Sequence, residues 1–352
     1  MKIVNVMIGR GLGGIEQAFL DYNQALLMRG HQVCAVIHQH AEIEQVLRTQ
    51  SVTKIVKTHF LHYNYFLLIT LYIKLRQYKP DIIIVHNKKA ISMFKILARI
   101  LRAKIIAVSH NPKFRHVDKC DGIFTITQYQ KNIFADKGFP ADKIFVVPNL
   151  VANVIPYKCS DSFHTPPVIG TMGRFDPMKG FPDFIEALGI LKQKNISFKA
   201  VIGGRVQKSY VDEFIKMQEK IKELNLQDCV EFYGWVDDKD KFFNDIDIFV
   251  LPSRFEPFGI VLLEAMIQSK PIVSSLAEGP AEIFSDNKDA AYLFAINNPQ
   301  QMAEKIADAL SDFSRTQKVA NNGYKLCLEK YTLEPVSNRL NDALDFFMHK
   351  GK

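Results

Sequence analysis

The chain has 352 residues, more than one ordinary hydrophobic core organises, so its length predicts two domains of roughly 150 to 200 residues each. A hydrophobic fraction of 47% beside 23% charged residues is that of a packed globular protein and excludes a disordered or fibrous chain. The formal net charge of +8 is unevenly held: residues 1–150 carry 21 Lys and Arg against 9 Asp and Glu, whereas the remainder carries 24 against 28.

In chain order, the apolar start from Ile3 to Ile8 is too short for a signal peptide and runs straight into a glycine loop, which predicts a cytoplasmic protein. Short β-branched runs predict strands near 2–8, 32–38, 81–86, 104–109, 122–127 and 143–147, with helical patterns in the gaps. Ile82 to Val85 show no polar alternation, as expected of a parallel strand covered on both faces. The longest apolar run, Tyr65 to Ile73, falls well short of the ~20 residues that a membrane-spanning helix needs.

Between His86 and Val117 there are eight basic residues and no acidic one. Residues 90–102 read as a helix with Lys95, Arg99 and Arg102 on one face, and Ile91, Phe94, Ile96, Leu97, Ile100 and Leu101 over most of the remainder. With Lys88, Lys89, Lys104, Lys113 and Arg115 nearby, residues 88–115 predict a face for an anionic membrane surface. A solvated charged face is the plain alternative. Nucleic acid is not expected, because no aromatic-interleaved strand platform or DNA-binding helix pair accompanies the charges.

The segment 149–167 holds three prolines and little periodicity, and reads as a linker. A second strand series follows near 168–172, 198–202, 230–233, 246–251 and 271–274. Leu340, Leu344 and Phe347 then recur at helical spacing over 334–348. The fold class is therefore α/β: one Rossmann-like domain over 1–150, a second over 168–333 facing it across a cleft, and a helix over 334–352 packing back toward the first. Five scattered cysteines without a CxxC pair predict reduced thiols and no zinc site.

The strongest chemical signal lies after the strand that ends at Leu251. A loop carries Glu256, and Gly259 opens an apolar helix containing Glu264. Amides at that helix start, from Phe258, Gly259 and Ile260, suit a diphosphate, and glycine permits its close approach. Glu264 then lies where a ribose diol can be held and Glu256 where the transferred sugar can be faced; on spacing alone, a turn glutamate and a solvated helix position serve equally well. A second signal, Gly173-Arg174 with Lys179-Gly180, follows the first strand of the second domain. Strand carboxyl ends are where open α/β sheets bind ligands, and two cations there can neutralise a departing diphosphate without a metal ion. No dedicated Asp or Glu cluster suggests magnesium.

Residues 256–265 taken with Gly173-Arg174 and Lys179-Gly180 resemble the retaining nucleotide-sugar glycosyltransferases of family 4, which have two Rossmann-like domains in the GT-B arrangement. Gly13-Gly14 after the first strand, His110 after Ser109, and Pro148-Asn149 fall at positions that family also marks. The resemblance implies a hexosyl transfer from a UDP- or GDP-sugar to an acceptor hydroxyl, with no cofactor and no metal. It implies that Arg174 and Lys179 bind the diphosphate, Glu264 the ribose and Glu256 the donor sugar, that the amides of Gly13 and Gly14 help hold the phosphates, and that His110 contacts the sugar near its reacting carbon. Two departures stand out: Leu150-Val151 follow Asn149 where the family often has Gly and an acidic residue, and 276–280 replace a double-glycine turn, which leaves contacts near Glu278 and Glu282 unassigned.

With the basic face, the resemblance implies a saccharide or lipid-linked acceptor, such as a lipopolysaccharide core or another membrane glycolipid, used on the inner face of the membrane. The rival is a sugar-nucleotide epimerase of the same fold, which needs no acceptor. A dinucleotide oxidoreductase, hinted at by a GxGxxG match over 9–14, lacks the acidic residue after the next strand, and a non-catalytic sugar-nucleotide binder would not need the full set of charged groups.

Overall fold

The computed structural model describes residues 1–11, 13–59, 65–112 and 116–349. Lys113 and Arg115 of the basic stretch and Leu12 of the glycine loop lie outside the described residues. The chain forms two compact units, Met1–Ala152 with Tyr331–Lys352, and Asn153–Lys330.

The first unit alternates strand and helix: β1 Lys2–Met7, α1 Gly14–Met28, β2 Gln32–His38, α2 Glu44–Thr49, β3 Lys54–Thr58, α3 Tyr65–Arg76, β4 Ile82–Val85, α4 Lys88–Leu101, β5 Lys104–Ser109, β6 Gly122–Thr125, α5 Gln128–Asp136 and β7 Ile144–Val146. All pairings are parallel, in the order β3-β2-β1-β4-β5-β6-β7, with Ile3 of β1 opposite Val33 on one side and Ile82 on the other. The four residues of β4 are fully buried, because helices cover both faces of the sheet.

The second unit repeats the plan with β8 Val168–Met172, α6 Phe181–Gln193, β9 Lys199–Gly203, α7 Val211–Glu223, β10 Val230–Gly234, α8 Lys239–Asn244, β11 Ile248–Leu251, α9 Ile260–Ile267, β12 Ile272–Ser275, α10 Glu278–Ile283, β13 Tyr292–Phe294, α11 Pro299–Ser311 and α12 Phe313–Lys330. Its parallel sheet runs β10-β9-β8-β11-β12-β13. In both sheets the winding direction reverses beside the first strand, between β1 and β4 and between β8 and β11. Strand ends at such a reversal splay apart and leave a crevice for ligands.

The last helix, α13 Leu333–His349, belongs to the first unit. Its Val336, Leu340, Ala343, Leu344 and Phe347 share a core with Leu26, Phe124 and Val147, and Ser337 accepts a hydrogen bond from Arg29 Nε at 2.9 Å. Of the segment 149–167 read as a linker, residues 149–152 belong to the first unit and residues 153–167 are tied to the second. Tyr324 donates to the Ile155 carbonyl at 2.7 Å, and Lys158 N to Ser269 Oγ at 3.0 Å.

Most strand ends lie within one residue of the sequence reading, and two differ by two residues for identifiable reasons. The strand expected to reach 127 stops at Thr125, because the Thr127 hydroxyl turns to cap α5 through Gln130 N at 3.2 Å. The strand expected from 246 starts at Ile248, because the Asp247 carboxylate bonds Val168 N at 2.7 Å and His164 Nδ1 at 2.9 Å. The sequence reading lacks β3 and β13. Both are short edge strands, and β3 exposes Lys54 and Lys57, which discourage pairing with a further strand.

Candidate active site

In the second unit the loops that follow β8 and β11 meet at the sheet reversal. Gly180 has φ of +67°, and a Cβ there would lie 2.0 Å from the Pro252 carbonyl oxygen, so only glycine lets the loops touch. The Asp176 carboxylate accepts from Met178 N at 2.9 Å, and the Met178 carbonyl accepts from Arg254 N at 2.8 Å. This packing brings Lys179 Nζ to 2.6 Å from Glu256 Oε2, an ion pair whose side chains keep 21% and 11% of their exposure. Residues 77 positions apart thus share one spot.

The other cations divide into two kinds. Arg254 donates to both carboxylate oxygens of Asp183 on α6, at 2.8 and 2.6 Å, and serves to anchor its loop. Arg174 stays open: its side chain is 59% exposed, and its ion pair with Asp176 is a loose one at 3.8 Å.

Gly259, with φ of +99°, turns the chain into α9 and leaves the helix start without a side-chain cap. Initial amides of such a helix have no intrahelical acceptor and point at whatever lies before them. Phe258 is buried and Ile260 half-buried. Glu264 follows on α9, where burial pushes its carboxyl above the ordinary range while an ion pair with Lys239 of α8 pulls the other way. From the opposite side the first turn of α10 wedges in: the Glu256 carbonyl accepts from Gly279 N at 2.9 Å, and a Cβ on Gly279 would lie 2.3 Å from Phe258 Cα. Glu278 Oε2 reaches Glu256 N at 3.4 Å, so the segment that departs from the family pattern abuts the glutamate motif directly.

In the first unit, Gly13 is extended and Gly14 begins α1, with the Glu16 carboxylate folded back over Gly9 and Gly13. His110 follows β5, 8% exposed, and burial lowers its pKa to about 4. Its Nε2 lies 3.1 Å from Nδ1 of His86, which follows β4, and His86 Nε2 lies 3.0 Å from Asn5 Oδ1 on β1.

The structure therefore joins Lys179 to Glu256, gives Glu264 a separate lysine, and leaves Arg174 projecting. The sequence reading missed Lys239, the Arg254–Asp183 anchor, and the Asn5 and His86 pair behind His110, and it left the contacts of Glu278 unassigned. His86 alone carried a signal, as a polar residue at the end of an all-apolar strand beside a sheet reversal. Among the described residues no three His, Cys, Asp or Glu side chains are grouped to hold a metal ion, and no helix is long and apolar enough to cross a membrane.

Comparison with known proteins places a family on each unit. The model for glycosyltransferase family 4 matches residues 12–152, and that for glycosyl transferases group 1 matches residues 158–326. The lipopolysaccharide core biosynthesis glycosyltransferase LpsE of Rhizobium meliloti is 24% identical over 96% of this chain and 97% of its own. The poly(ribitol-phosphate) alpha-N-acetylglucosaminyltransferase of Staphylococcus aureus is 26% identical over 63% of this chain and 43% of its own. The crystal structure of Anabaena HepE in complex with UDP and glucose has the same fold, with a TM-score of 0.81 at 19% identity over 98% of this chain and 99% of that one. The chain belongs to the family 4, group 1 glycosyltransferases of GT-B fold.

Proposed function

We propose that this glycosyltransferase moves a hexosyl group from a UDP- or GDP-sugar to an acceptor hydroxyl, with retention at the anomeric carbon and without a metal ion. The bond from the sugar's anomeric carbon to the diphosphate breaks, and its electron pair stays on the phosphate oxygen. The anomeric carbon bonds the acceptor oxygen, whose proton is released. The observation that carries this reading is the Lys179–Glu256 pair, held at 2.6 Å at the sheet reversal beside the uncapped start of α9.

Lys179 and Arg174 neutralise the leaving diphosphate together with the amides of Phe258, Gly259 and Ile260. Glu264 holds the ribose diol, Glu256 faces the transferred sugar, the amides of Gly13 and Gly14 assist with phosphate, and His110 meets a substrate hydroxyl. UDP appears in the HepE complex and lipopolysaccharide core synthesis in the description of LpsE, which supports a uridine donor and a cell-surface glycoconjugate acceptor. A thermal-shift screen of nucleoside diphosphates tests the donor half. UDP or GDP at a hundredfold excess over its dissociation constant stabilises the protein by about 2.7 kcal/mol. No shift with either contradicts it.

The acceptor is lipid-linked and reached from the cytoplasmic leaflet, with α4 on the bilayer. On that helix Lys88, Lys89, Lys95 and Arg99 are exposed, Ile91, Phe94 and Leu97 are buried, and Ile96 and Ile100 remain 37% and 51% exposed. The last two thus stand apart from the buried apolar residues of the helix. Arg102 ends α4 in a left-handed cap and does not continue its basic face. Neighbouring α3 exposes Phe66, Ile69 and Ile73 at helical spacing and contains no acidic residue. Exposed bulky apolar groups among cations suit a bilayer with anionic lipid, each cation adding about 1 kcal/mol near the surface. Vesicle flotation tests this: recovery should require anionic lipid at low salt, and equal recovery with neutral vesicles would count against it.

A further inference from the structure

Behind His110 lies a chain of buried polar side chains whose direction follows bond by bond. At its inner end Asn5 Nδ2 lies 3.0 Å from Asn23 Oδ1 and 3.4 Å from the Phe19 carbonyl oxygen. A backbone carbonyl only accepts, so the Asn5 nitrogen belongs on that side and its oxygen faces His86. His86 Nε2, 3.0 Å from that oxygen, therefore carries a hydrogen. Burial, reinforced by the adjacent His110, holds His86 well below the ordinary imidazole range, so its ring is neutral and Nδ1 is a bare lone pair. His110 Nε2, 3.1 Å from that lone pair, must donate to it. Phe19 and Tyr22 pack edge-on against His86 at centroid distances of 5.5 and 5.0 Å and resist a flip of its ring. All four polar residues are buried.

We propose that Asn5 and His86 are positioning residues that lock His110 in its Nε2–H tautomer, so that Nδ1 is left only as an acceptor. It accepts a hydrogen bond from a substrate hydroxyl and cannot donate to a phosphate oxygen. The hydroxyl can belong to the donor sugar or to the acceptor. This rests on the reading of His110 as a residue that meets substrate.

The test begins on the ligand-free protein labelled with nitrogen-15 at histidine, with the His110→Gln spectrum used to identify the His110 signals. Wild-type His110 should show a protonated Nε2 and a bare Nδ1 at neutral pH. A protonated Nδ1 overturns the proposal, whatever the variants do. Asn5→Leu removes the acceptor that orients His86. It should move hydrogen onto His110 Nδ1 in part of the population and lower kcat/KM about tenfold, the scale of one hydrogen bond. Asn5→Asp keeps an acceptor oxygen and should keep the tautomer. If Asn5→Leu folds with the tautomer unchanged and kcat/KM within twofold, the positioning role is refuted. Deoxy analogues of the donor sugar and of the acceptor, each assayed against wild type and His110→Gln, show which hydroxyl is read. If His110→Gln penalises every analogue as much as the parent, substrate contact by His110 fails while the tautomer result stands on its own.

Discussion

Replacing Lys179 by Met keeps most of the apolar stem and removes the charge, which separates the residue's structural contribution from its chemical one. In the folded protein the change strands the Glu256 carboxylate, 2.6 Å away and 11% exposed, without its cation. A charge-assisted hydrogen bond contributes about 1.5 to 3 kcal/mol, and access of water to the 21%-exposed lysine reduces that toward the lower end. The expected loss of stability is about 1 kcal/mol, a fall in Tm of roughly 2 to 4 °C for a domain of this size. The kinetic loss should be larger, because a preorganised charge aimed at a leaving diphosphate accounts for about 2 to 4 kcal/mol, or roughly 30- to 1000-fold in kcat/KM. Adding Glu256→Gln should restore much of the Tm, since the stranded carboxylate is gone, and should restore none of the turnover. The assay is diphosphate release at saturating acceptor beside a thermal melt. Activity within threefold of wild type for Lys179→Met, or recovered activity in the double variant, would refute direct action of Lys179 on the diphosphate.

Three further outcomes follow from the geometry. Glu264→Gln should chiefly weaken donor binding and raise KM, whereas Glu256→Gln should chiefly lower kcat; identical profiles would argue against separate roles. Gly180→Ala combines a backbone φ of +67° with a Cβ 2.0 Å from the Pro252 oxygen, and should cost about 1 to 3 kcal/mol or more in thermal unfolding; an unchanged Tm would show that the loops do not need this contact. His110 is held down to about 4 from the ordinary 6.5, so between those values the unfolded chain binds a proton that the native state refuses. Its contribution is complete above about pH 6.5 and is lost as pH falls toward 4, up to about 3 kcal/mol. His110→Gln should therefore flatten the acid limb of the stability curve, and an unaltered limb would contradict the burial argument.

The elements with long apolar runs were legible in the sequence: β4 and β11 follow from Ile82–Val85 and Ile248–Leu251, which are buried on both faces. The edges β3 and β13 were not, since an edge strand of three to five residues has little apolar pattern to betray it. Glu256, Gly259 and Glu264 could be singled out because they lie within one strand-to-helix turn. Their pairing could not, because Lys179, though singled out itself, and Lys239 come from other crossovers and meet the glutamates only once the sheet is wound. The difference between Arg174 and Arg254 was equally hidden. Both are loop arginines after strands, and only Asp183 on α6 makes one of them an anchor. His86 looked like the polar end of a strand until β1 and β5 placed Asn5 and His110 on either side of it.

Acceptor-dependent transfer, followed with labelled UDP- and GDP-sugars in the presence of a chelator, tests the central claim most directly. Release of one equivalent of nucleoside diphosphate per glycosylated acceptor, with the donor's anomeric configuration retained in the product by NMR, is the predicted result. Diphosphate release with free or epimerised sugar and no need for an acceptor, or a product of inverted configuration, would contradict it.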